Sequence, residues 1–328
     1  MRYYDMTYTS GVIAVREKFL LKEKILRFCE VSAEDAFRSL LESGFGGGAE
    51  VTTNVYEYEN LIAVEERRLD EFIREYAPTE AEKAYLLSSR DFHNAKALLK
   101  AAYLGTDVSR LLAPEGLVEI ATLSTCIEEK DFTPLKELNA YLGGACEDGA
   151  ALLAENPSGA KLGEIFENAQ YQYLWDLAKR KPTLKKLLVA KADMNNILIA
   201  LRAGDVERAK EKYLPVGKLD KSTLEKLFLE DKGKAVEAFA DTPYADFVKV
   251  CLEAVEKRLP MTEAERRVAS YDVEFFNDRK YELEKEDPFL YYVYRRKTEN
   301  ANVRIVFACL LAGMSEHEIK KRLRRCKE

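Results

Sequence analysis

Two histidines, six cysteines and one glycine-rich stretch are the residues with which this 328-residue chain might do chemistry. An imidazole works as acid, base or nucleophile activator only beside a suitable partner. His317 falls inside a helix-capping turn, Ser315…Glu318, and His93 sits mid-helix beside Asp91 and Asn94, so both read as structural. There is no His-Glu-x-x-His. Arg90 and Met314 stand three residues before the histidines, so the Glu-x-x-His pairs of di-iron bundles are missing too. Cys29, Cys126, Cys146, Cys251, Cys309 and Cys326 are scattered without a Cys-x-x-Cys pair, which predicts buried free thiols, not a disulfide framework or a zinc site. Gly44-Phe45-Gly46-Gly47-Gly48 lacks the Gly-Lys-Ser/Thr of a phosphate loop and reads as a flexible turn. With no nucleophile elbow and no dinucleotide fingerprint, the expectation is no catalytic centre, no metal set and no cofactor.

What remains is a recurring pair. Asp91…Asn94, Asp193…Asn196 and Glu299…Asn302 all read acid-x-x-Asn, with intervals of 102 and 106 residues between copies. Each is followed by an apolar helical stretch, Ala95–Leu99, Ile197–Leu201 and Val303–Phe307, and then by a glycine, Gly105, Gly204 and Gly313. An aromatic residue precedes each copy by about 20 positions: Phe72, Tyr173 and Phe276. The motif itself is common, since Glu57…Asn60 and Glu274…Asn277 also match outside the repeat. The regular spacing, the helical setting and the trailing glycine give it weight. On a helix, positions i, i+3 and i+7 share a face. Asp91, Asn94 and Leu98 therefore align, as do Asp193, Asn196 and Ala200, and Glu299, Asn302 and Val306. A carboxylate and an amide at the edge of an apolar stripe must find hydrogen bonds or cost about 1–3 kcal/mol each. They either tie a long helix to neighbouring helix ends and loops, or present three equivalent sites to a shared ligand or partner.

The elements that position these pairs are helices. Sixteen glycines and nine prolines are too few for a fold of many tight turns. Thr79…Glu82, Ser222…Glu225, Thr262…Glu265 and Ser315…Glu318 fit the capping box, and Ser32 followed by Glu34 and Asp35 is a looser version. Stops are expected at Gly44, Gly105 and Gly313, the last after a long helix starting near Phe289. Glu50–Tyr56, β-branched and partly alternating, reads as an extended loop in preference to a short strand. Ala113-Pro114-Glu115-Gly116 and Leu214-Pro215-Val216-Gly217 break the pattern and divide the chain into helical units 1–113, 114–215 and 216–328.

Charged residues make up 33% and hydrophobic ones 47%, so a core is available and general disorder is excluded. The net charge of −6 argues against a nucleic-acid partner. The longest apolar run, Ile305–Met314, is half of the roughly 20 residues that a bilayer span needs, and Met1–Asp5 does not resemble a signal peptide. A place in the cytosol or on the cytosolic face of a membrane is expected. Lys179–Lys181 and the basic tail Lys320, Lys321, Arg322, Arg324, Arg325 and Lys327 read as solvated faces, or as attraction to an acidic protein surface or anionic headgroups.

The segment Tyr291–Ile305, with its Lys297-x-Glu299-x-x-Asn302-x-Arg304 core, continues through Leu311–Met314 to Glu318–Leu323. It resembles the C-type subunit of bacterial and archaeal V-type (A/V-type) ATPases, the equivalent of the eukaryotic d-type subunit. The resemblance implies an all-α chain of three similar helical domains, arranged as a funnel with pseudo-three-fold symmetry. It implies a non-catalytic central-stalk role, in which the funnel sits on the cytoplasmic face of the membrane. There it would couple the central shaft subunits to the proteolipid rotor ring, with no small-molecule substrate of its own. The middle unit has Leu198 where the last has Arg304, so no arginine role is carried into it. A helical adaptor with three equivalent binding faces is the alternative; a period near 104 residues is far longer than that of ordinary helical solenoids, about 33–47.

Overall fold

Hydroxyl, amide and carboxylate caps start the helices. Ser32, Thr79, Asn139, Ser158, Asp205 and Asp231 each accept a hydrogen bond from a backbone N–H of the first turn, satisfying donors the helix itself leaves open. A computed structural model describes residues 5–21, 23–114, 116–277, 279–281 and 286–325; Cys326, Lys327 and Glu115 lie outside the described residues. In chain order the helices are α1 (Met6–Arg16), α2 (Lys24–Phe28), α3 (Ala33–Glu42), α4 (Tyr58–Tyr76), α5 (Glu80–Leu104), α6 (Ile120–Glu129), α7 (Thr133–Leu138), α8 (Ala140–Glu155), α9 (Gly159–Ala178) and α10 (Pro182–Ala203). They continue as α11 (Val206–Lys212), α12 (Lys221–Glu225), α13 (Lys232–Glu237), α14 (Ala245–Glu256), α15 (Thr262–Asn277), α16 (Asp287–Leu311) and α17 (Glu316–Arg322), joined by loops and short 3₁₀ turns. The fold is all-α, with no strand among the described residues.

Gly44, Gly105, Gly204 and Gly313 all take positive φ where a helix ends, the left-handed conformation that releases the chain from the last turn. The capping box at Ser315–Glu318 is complete. Ser222 does not cap: α12 begins one residue earlier, behind Asp220, and takes Ser222 into its first turn. Residues 52–54 form an irregular connection between two 3₁₀ turns, as the loop reading expects. The glycine stretch differs from the slack turn expected of it. It is a packed turn with Gly46, Gly47 and Gly48 all at positive φ; a Cβ on Gly46 would overlap the backbone of Leu61, and Gly46 N–H donates to Glu65 Oε1 at 2.9 Å.

The chain packs as two compact units, Met1–Pro78 with Phe239–Glu328, and Thr79–Ala238. In the first, Val303, Val306 and Phe307 of α16 meet Phe28 of α2, Phe37 and Leu40 of α3, and Ile319 of α17. Phe307 is ringed by Phe37, edge-on at 5.8 Å, and Tyr58, stacked at 5.5 Å. Helices α4 and α16 run antiparallel, since Phe72 meets Tyr292 while Glu59 meets Arg304. In the second unit, Phe92, Ala95 and Leu99 of α5 pack on Leu123, Cys126 and Ile127 of α6, Leu142 and Cys146 of α8, and Phe166 of α9. Further along that unit, α10 serves as the spine for α11, α12 and the 3₁₀ turn Lys226–Phe228.

Candidate functional site

The three asparagines make the same contact. Asn94 Oδ1 accepts from Ala113 N–H at 2.8 Å while its Nδ2 donates to Ala113 O at 3.1 Å. Asn196 does this with Leu214, at 2.7 and 3.3 Å, and Asn302 with Arg324, at 2.8 and 3.0 Å. A side-chain amide carries donor and acceptor in the geometry of a peptide group, so it pairs with both backbone groups of a single residue. The paired residue lies 18 to 22 positions downstream, where the chain has turned at the left-handed glycine and come back along the helix.

Two of the acids complete the clamp. Asp91 accepts from Leu117 N–H at 2.9 Å and Val118 N–H at 3.1 Å; Asp193 accepts from Lys218 N–H at 2.7 Å and Leu219 N–H at 2.9 Å. Gly116 and Gly217 admit these carboxylates. A Cβ at Gly116 would overlap the Asp91 carboxyl group, and one at Gly217 would stand 2.7 Å from both Asp193 Oδ1 and Asn196 Nδ2. The sequence breaks containing these glycines are visible in the chain, and the shared Pro-x-Gly there is the signal that marks them. What each glycine accommodates is not.

Glu299 behaves differently. Its Oε1 accepts from Leu21 N–H at 2.5 Å, reaching the N-terminal segment instead of the chain that follows α16. Its other oxygen pairs with Arg296, which also pairs with Glu65. All three are nearly out of solvent, at 4%, 7% and 5% exposure for Glu299, Arg296 and Glu65. Burial pushes the Glu299 carboxyl above its ordinary range, opposed by Arg296 and the Leu21 N–H. Arg304 forms a fork with both Glu59 oxygens at 2.8 and 2.9 Å and reaches Glu66 at 3.4 Å, joining α16 to α4. Leu21, Glu65 and Arg296 carry no sequence signal, because the contacts that unite them span more than 200 positions.

The remaining polar candidates are occupied structurally. His93 Nε2 lies 2.9 Å from Leu111 O. Cys29, Cys126, Cys146 and Cys309 are free and buried, and Cys251 is buried as well; burial raises the Cys29 thiol to about 11 and that of Cys146 to about 12, far from a reactive thiolate. The clamps thus hold backbone to helix, in sequence intervals that recur along the chain. The model of the ATP synthase (C/AC39) subunit family matches residues 10–322, from α1 to the end of α17. The chain belongs to that family. It is a V-type ATP synthase subunit of the C/d kind, and the motif of α16 that resembles the family lies within the matched span. No curated protein matches this C/AC39 subunit. No helix among its described residues is long and apolar enough to cross a membrane.

Proposed function

We propose that this C/AC39 subunit is a non-catalytic part of the central stalk, coupling a rotating shaft to the membrane proteolipid ring on its cytoplasmic face during ATP-linked proton or sodium transport. In this reading residues 1–113, 114–215 and 216–328 are three versions of one helical unit, set around a pseudo-three-fold axis in a funnel that receives the shaft. The observation that carries it is the Asn clamp made three times over, at Ala113, Leu214 and Arg324, on the long helices α5, α10 and α16. A rotor part transmits torque only if it resists deformation. Close-packed helices with doubly bonded returns supply that stiffness, because native interiors compress little and satisfied buried polar networks are rigid. The test is purification of the tagged full-length chain from membranes in mild detergent. Proteolipid and shaft subunits are expected in stoichiometric amounts; recovery with neither overturns the proposal. Cryo-EM of the recovered complex checks the pseudo-symmetry by superposing the three units on one another.

A further inference from the structure

The basic tail noted in the sequence is not uniformly solvated. Lys320 is tied to Glu30 and Glu316 at 2.7 Å, and Arg325 to Glu263 at 3.0 Å. Arg322 and Arg324 instead face a groove of about 380 Å³, with Arg266 of α15 and Arg304 of α16 on its other sides and Ile305 and Ala308 as apolar floor. Two of these four guanidinium groups are already neutralised, Arg266 by Glu263 and Arg304 by Glu59 and Glu66. Among the described residues, Arg322 and Arg324 have no carboxylate within ion-pair distance, and Glu265 is the acid that lines the groove. Arg324 is also fixed at its root, since Asn302 holds both its N–H and its C=O. Burial lowers the Arg324 pKa, Asp272 attracting the charge and Arg304 repelling it. A half-buried cation such as Arg324, whose nearest carboxylate lies beyond ion-pair distance, gains more from an incoming anion than an exposed one does, because water screens the pair less.

We propose that this groove docks an acidic segment of a protein partner, two carboxylates meeting Arg322 and Arg324 while an apolar residue between them lies on Ile305 and Ala308. Planar guanidinium forks match carboxylates two bonds at a time. A membrane surface is recognised differently, by clusters of about four to eight exposed basic residues. Here Lys320 and Arg325 of the tail are already paired, which leaves Lys321, Arg322 and Arg324 among the described residues, fewer than such a cluster needs, and the two arginines line a concavity with an apolar floor. Nothing in this chemistry depends on the rotor role.

The test uses the full-length chain and three probes: a fluorescent peptide of alternating glutamate and leucine, its glutamine–leucine counterpart, and vesicles of phosphatidylserine in phosphatidylcholine. Anisotropy should show binding of the glutamate peptide that weakens as salt is added, with no binding of the glutamine peptide. Arg322→Gln and Arg324→Gln should each weaken it about tenfold, the scale of losing one charge-assisted pair. Circular dichroism reports whether the variants fold; Arg322 is exposed, so Arg322→Gln decides the matter if Arg324→Gln is unstable. Equal binding of both peptides, or affinity unchanged by both substitutions, overturns the proposal. So does vesicle flotation that Arg322→Gln abolishes in the absence of peptide binding, which assigns the groove to lipid.

Discussion

An asparagine in a helix interior is a poor helix former, and its amide competes with the backbone for hydrogen bonds. At positions 94, 196 and 302 that competition is useful, since the amide binds the backbone of a returning segment. Asn196→Ala leaves the N–H and C=O of buried Leu214 without partners, so unfolding in urea should show a loss of about 1–3 kcal/mol for each group that water cannot reach. A loss under about 0.5 kcal/mol would mean that the return is held by packing alone. Gly217→Ala tests the other half of the clamp. The added methyl would stand against Asp193 and Asn196, so a loss of about 1–3 kcal/mol is expected from crowding in place of a missing bond. Glu299 adds a pH signature. Its carboxyl is raised in the fold by burial, so the folded state holds a proton that the unfolded chain has already released. Between the ordinary glutamate pKa and the raised one, stability therefore falls as pH rises. Glu299→Gln removes that titration, so the stability of the variant relative to the parent should improve across this window in denaturation series at successive pH values. A difference that does not move with pH would show that Glu299 is ionised throughout.

At the scale of elements, the short C-terminal helix α17 is a piece of the core. Ile319 is fully buried and Leu323 nearly so, both against the cluster around Phe307, and the stretch of backbone after the helix supplies the partner of Asn302. Ile319→Ala should cost about 2–5 kcal/mol by leaving a cavity, measured by thermal or chemical unfolding. Removal of the chain after Gly313 should impair folding at every salt concentration; a defect that salt strongly modulates would mean that charge, not packing, holds the helix. Helix ends were legible because their causes are local: a cap hydroxyl, an acid three residues on, a glycine at positive φ. Ser222 misled because Asp220, two residues earlier, is an equally good cap candidate and the helix starts there. The acid-x-x-Asn pairs were legible as spacing, and their need for partners followed from burial. Which backbone groups they would bind was not legible, since Asp91 reaches 26 residues ahead and Glu299 reaches back 278. The buried Arg296, bracketed by Glu65 and Glu299, is invisible for the same reason: no local pattern encodes a contact between segments so far apart in the chain.

For the whole molecule, the packing units and the sequence repeat divide the chain at different places. The unit Thr79–Ala238 is continuous, and its core cluster draws on helices α5, α6, α8 and α9 among others within that span. The other unit is assembled from both ends, with Phe28, Phe37 and Leu40 from the beginning closed over Val303 and Phe307 from the end, and Glu299 holding Leu21. A segment that must bury its apolar face on distant chain cannot fold before that chain arrives. Residues 79–238 expressed alone should therefore show a helical spectrum and a cooperative melt. Residues 1–78 alone should not, and should acquire both on mixing with residues 239–328. Intrinsic fluorescence is a convenient second readout for the first fragment, because the chain has one tryptophan, Trp175, on α9 with Lys185 over its ring at 4.5 Å. If residues 1–78 fold unaided, or the central fragment does not, the core contacts that define these units are not what makes them cooperative.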